Sequence, residues 1–79
     1  MALLNKPKEQ QRKVDEWNAL YPVGQMVVAR FYGGATRSAR TRAPAELLEG
    51  HSAVVWLDGI LSACLLDRVT AVTEDRPHG

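Results

Sequence analysis

The apolar positions of this chain change their spacing once, near residue 22, and that change divides the sequence into two kinds of structure. Before it, Val14, Trp17 and Tyr21 recur three and four residues apart among Lys8, Glu9, Gln11, Arg12, Asp15 and Glu16. That rhythm predicts a helix over residues 7–20 with a narrow apolar stripe, suited to docking on another surface. Asn5 is placed to cap it and Pro7 is tolerated in its first turn. Pro22-Val23-Gly24 ends it, because proline disfavours helical geometry in the residue before it.

After Gly24 the period falls to two. Over 25–32, Val27, Ala29 and Phe31 alternate with Met26, Val28, Arg30 and Tyr32, which predicts a first strand. Gly33-Gly34 marks a turn, and 36–41 is expected as a polar second strand with one exposed face. Pro44 to Gly50 pairs a proline start with a glycine stop and is expected to form one helical turn. His51 to Leu57 and Ile60 to Leu65 read as partner strands about an Asp58-Gly59 hairpin. Leu66-Asp67-Arg68 has the length of a 3₁₀ turn, and Val69 to Val72 of a last strand. The fold class expected is mainly β: a five-stranded SH3-like barrel over 22–72, an N-terminal helix over 1–21 and a flexible tail over 73–79.

Seventy-nine residues support one hydrophobic core. No apolar run approaches the length of a membrane span, and the first residues lack a secretory leader pattern, so a cytoplasmic protein is expected. Cys64, the one cysteine, allows no intrachain disulfide or cysteine-based metal site and reads as core filling. No catalytic group, metal site or cofactor is expected. His51 and His78 have no evident carboxylate or nucleophile partner, Asp58 and Asp67 read as turn residues, and no phosphate-cradling glycine loop is present.

The net charge is only +1, but Arg37, Arg40 and Arg42 fall within seven residues that contain no acid. Guanidinium groups grip phosphate and carboxylate in bidentate fashion and stack on bases. Alternation puts Arg40 and Arg42 on one face, and Arg30 with Tyr32 joins them if the outward faces of the first two strands coincide. These five residues are the candidate ligand site, for nucleic acid or a nucleotide. The plainer alternative is a solubilising strand edge whose arginines pair with Glu46, Glu49 or Asp58.

The 53–65 region is apolar on both faces, and a small barrel has one interior, so something must cover the other face. The helix with Trp17 can cover part of it. Val54, Trp56 and Ile60 complete a candidate protein interface, for a homo-oligomer or, in the alternative reading, a host protein recognised through aromatic and apolar surface.

Residues 23–29, Val54 to Gly59 and Leu66 to Val69 together make the chain similar to the SH3-like small barrel. Trp17-Asn18, Tyr21 to Gly24, Arg40 to Ala45 and Val54-Val55 resemble a family of small uncharacterised proteins of phages and prophages, which implies a mobile-element source. More distantly, the architecture is similar to the type II dihydrofolate reductases. Their ligand strand reads Val-Gln-Ile-Tyr where this chain has Ile60-Leu61-Ser62-Ala63, so the likeness does not extend to the residues that grip the ligand. Reductase activity is the remote alternative.

Overall fold

In the computed structural model, which describes residues 7–73, the helix occupies the span that its spacing predicts. Helix α1 runs Pro7–Leu20 and Tyr21 N–H still donates to the Trp17 carbonyl at 2.8 Å, after which Gly24 turns the chain at a φ of 100°. The expected Asn5 cap, the tail beyond Thr73 and His78 lie outside the described residues.

Six strands follow: β1 (Met26–Arg30), β2 (Thr36–Arg40), β3 (Glu46–Leu48), β4 (Ser52–Val55), β5 (Cys64–Leu65) and β6 (Val69–Ala71), with 3₁₀ turns at Tyr32–Gly34 and Leu66–Arg68. They form two antiparallel three-stranded sheets, ordered β2-β1-β6 and β3-β4-β5. The chain is therefore mainly β with one N-terminal helix. The Thr41↔Leu57 bridge joins the sheets, flanked by Arg42 N–H to Trp56 O and Asp58 N–H to Arg40 O, both 2.9 Å. Among the described residues no ladder pairs β5 with β6.

The residues facing inward are those that the alternation selects. Val27, Ala29, Ala53, Val55, Leu57, Ile60, Leu66 and Val69 form one buried cluster, and α1 adds Val14 to it, with Trp17 packed against its edge. Polar contacts fix the helix in place. Asn18 accepts from Ala45 N–H at 2.9 Å and donates to Ala45 O at 3.1 Å, Gln10 accepts from Ala53 N–H at 3.1 Å, and Lys13 reaches Asp67 at 3.1 Å. Asn18 thus does for Ala45 what a neighbouring strand would do, where Pro44 interrupts the ladder.

Two local expectations are corrected. Glu46 to Leu48 is a strand and not part of a helical turn: the Pro44 to Gly50 segment is too short to hold a helix by itself, whereas pairing with β4 satisfies that strand's free edge and packs Leu47 against the core. The tight turn lies at Glu49-Gly50, with φ of 53° and 74° and His51 N–H donating to Leu48 O at 3.0 Å. Asp58-Gly59 does turn the chain, closed by Ile60 N–H to Leu57 O at 3.2 Å, but it does not join two paired strands. Val55 faces Cys64, two residues beyond the partner that a two-residue hairpin would give it, and 60–63 carries no ladder. Leu57 has its own partner in Thr41, so the ladder to β5 starts only after Ile60 has folded into the core. With β3, six strand segments stand where five were expected.

Candidate anion-binding face

The register fixes where each candidate arginine lies. Val27 and Ala29 are buried, so Met26, Val28 and Arg30 point to the outer face of the first sheet, and their partners Arg40, Ser38 and Thr36 share it. Arg30 and Arg40 therefore occupy the same face, as the alternation expects, but at opposite ends of β1, roughly 14 Å apart along the strand. Arg42 continues this face past the buried Thr41 and opposes Trp56; its guanidinium carbon is 5.6 Å from the indole centroid. Arg37 pairs with Ala29 and so belongs to the other face. It lies against the Asp58-Gly59 turn, where a Cβ built on Gly59 would be 3.5 Å from Arg37 Nη2.

The guanidiniums make backbone and aromatic contacts, not ion pairs. Arg30 donates to Asp67 O and Arg40 to Gly24 O, both at 3.0 Å. Among the described residues the ion pairs are Arg12 with Glu16 and Lys13 with Asp67; neither uses a candidate arginine. Glu46, within reach of this region, instead accepts the Trp56 indole N–H at 2.6 Å. Each of these arginines keeps most of its five N–H donors unspent.

Tyr32 leaves the sheet in the first 3₁₀ turn and is 86% exposed. The guanidinium carbon of Arg68 is 4.6 Å from its ring centroid. Arg68 was not distinguishable by composition, but the ladder between β1 and β6 brings it here: Ala29 opposes Val69, so the residue before Val69 falls beside Arg30. Arg30, Tyr32 and Arg68 rim a cleft of about 200 Å³ whose remaining lining is Ala29, Phe31 and residues 62–65. Burial pushes the Cys64 thiol pKa up, which keeps this group protonated and a poor nucleophile at neutral pH.

The predicted interface residues separate. Ile60 lies in the core and Trp17 packs against its edge. Val54 and Trp56 point outward on the second sheet. Val54 is only 1% exposed yet stands outside the core cluster, covered on a face that also carries the exposed Leu48 and Leu65. Among the described residues no helix is long and apolar enough to cross a membrane, and no three His, Cys, Asp or Glu side chains gather as metal ligands would. Comparison with family models, curated proteins and solved structures finds no match for the chain.

Proposed function

We propose that this protein is a non-catalytic binding module that recognises an anionic ligand, nucleic acid or nucleotide, through the outer face of its first sheet. The observation carrying this reading is that Arg30, Arg40, Arg42 and Arg68 have no carboxylate partner among the described residues, while two of them lie over aromatic rings. The plainer alternative pairs these arginines with Glu46, Glu49 or Asp58; among the described residues no such ion pair forms, and Glu46 is engaged by Trp56. Unspent donors beside aromatic faces suit single-stranded chains, which offer phosphates for the one and bases for the other.

The SH3-like barrel belongs to the same proposal. Counting β2 and β3 as one strand interrupted at 42–45 gives five strands in the order β6-β1-β2/β3-β4-β5, the order of a small open barrel. The resemblance of Trp17-Asn18, Tyr21 to Gly24 and Arg40 to Ala45 to small phage and prophage proteins supports a mobile-element source. A second reading, self-association or capture of a host protein, has its own support in Leu48, Leu65 and Trp56 on the outer face of the second sheet. The reductase reading gains nothing from residues 60–63, which here form no strand.

A titration with single-stranded oligonucleotide across a salt series tests the proposal. Four neutralised phosphates give a slope of log K against log salt of about −3. Arg40→Ala with Arg42→Ala is expected to reduce that slope by about half while leaving the unfolding transition in place. Binding that ignores salt, or a double variant with an unchanged slope, contradicts it.

A further inference from the structure

We infer that the cleft rimmed by Arg30, Tyr32 and Arg68 seats a single nucleotide unit, its base against Tyr32 and the apolar floor and its phosphate on the two guanidiniums. This rests on the anion-binding reading and adds a defined pocket that the arginine-rich second strand does not contain.

The chemistry of the rim selects the ligand. Arg30 and Arg68 both line one opening, and no carboxylate residue does. Asp67, which precedes Arg68 in the chain, turns its side chain to Lys13, with contacts of 3.1 and 3.2 Å, and offers Arg30 only its backbone carbonyl. One such bond leaves Arg30 with four free N–H donors, and Arg68 holds its guanidinium over Tyr32. That contact backs one side of the ring and leaves this highly exposed aromatic available to a second planar group.

Size narrows the choice further. About 200 Å³ is smaller than the ~300–1,000 Å³ typical of drug-sized sites. It suits one ring system with its phosphate at the rim. The floor of Ala29, Ala63 and Leu65 is apolar, which favours a flat base over a bare inorganic anion. Two sources supply this chemistry, a free mononucleotide and the phosphorylated end of a strand.

The test titrates the full chain at low salt with a nucleoside monophosphate, the matching nucleoside, inorganic phosphate and a 5′-phosphorylated single-stranded oligonucleotide, followed by residue-resolved NMR. The monophosphate is expected to shift resonances at 29–32 and 62–68, and to bind more tightly than nucleoside or phosphate alone. Tyr32→Ala is expected to weaken it about 5- to 150-fold, the range of one base stack, and Tyr32→Phe to restore it. Arg68→Ala weakens it too. Tighter binding of the oligonucleotide than of the monophosphate through these residues assigns the pocket to strand ends, and equal binding assigns it to free nucleotide. Monophosphate binding indifferent to Tyr32 and Arg68, or absent while the oligonucleotide still binds through Arg40 and Arg42, overturns the pocket alone. Absence of both overturns the anion-binding reading as well.

Discussion

Replacing Asn18 with alanine should detach the helix from the sheets at its strongest polar anchor. The side chain makes two hydrogen bonds to Ala45, accepting at 2.9 Å and donating at 3.1 Å, and Ala45 is itself buried. Neither backbone group has another partner in the ladders, because β3 starts only at Glu46 and the bridge to the second sheet lies back at Thr41. Losing a hydrogen bond costs about 1 kcal/mol net, and leaving a buried donor unsatisfied costs about 1–3 kcal/mol. Alanine recovers roughly 0.5 kcal/mol through its higher helix propensity. The balance is a loss of about 2 kcal/mol, which for a domain of this size lowers Tm by about 8–16 °C. Urea denaturation followed by tryptophan fluorescence measures it, with the midpoint shifting at constant slope. Asn18→Asp keeps the acceptor for Ala45 N–H but sets a carboxylate oxygen against Ala45 O in place of the donor, so it should destabilise as well. If Asn18→Ala lies within about 0.5 kcal/mol of wild type, the amide is not holding Ala45 and the docking of α1 is misdescribed.

Thr41 is buried to 3% and its hydroxyl accepts from Gly24 and Gln25 N–H at 2.9 and 3.2 Å, so Thr41→Val should cost about 1–2 kcal/mol in the same assay. Gly59 sits at a φ of 82°, and Gly59→Ala should destabilise by about 1 kcal/mol because a Cβ strains that conformation. The Lys13 to Asp67 pair is solvent-exposed, so Asp67→Asn should change stability by less than about 1 kcal/mol, and less still at high salt, in paired denaturation curves. For Cys64 the sign follows from its raised folded pKa. The unfolded thiol ionises first, so this group's contribution to stability falls as pH rises through and above the ordinary thiol value of 9.0; thermal melts of wild type and Cys64→Ala between neutral and alkaline pH isolate it.

The parts of the fold that were legible in the sequence are those where one period runs uninterrupted. Val14, Trp17 and Tyr21 set the helix, Val27 and Ala29 the buried face of β1, and Leu66-Asp67-Arg68 the turn before the last strand. The grouping of Ile60 and Cys64 against Leu61 and Leu65 also held, the first two buried and the last two exposed, and the two-residue offset of β5 against β4 keeps Cys64 and Leu65 on their faces. What failed was local turn chemistry. Asp-Gly is the stronger hairpin signal and Glu-Gly the weaker, but Leu57 was already committed to Thr41 and β4 needed a partner along Glu46 to Leu48. The tertiary demand for pairing outweighed both propensities.

The candidate site divides in the same way. Strand alternation correctly grouped Arg30, Arg40 and Arg42 outward and left Arg37 apart. It did not find Arg68, because that residue joins Arg30 only through the β1 to β6 ladder, a long-range pairing that no local spacing encodes.

The most direct test of the account is a residue-resolved NMR map of the protein titrated at low salt with a short single-stranded oligonucleotide. The account predicts perturbations along Arg30, Tyr32, Arg40, Arg42 and Arg68 that vanish as salt is raised. A map confined to Leu48, Trp56 and Leu65 of the second sheet, or no perturbation at all, contradicts it.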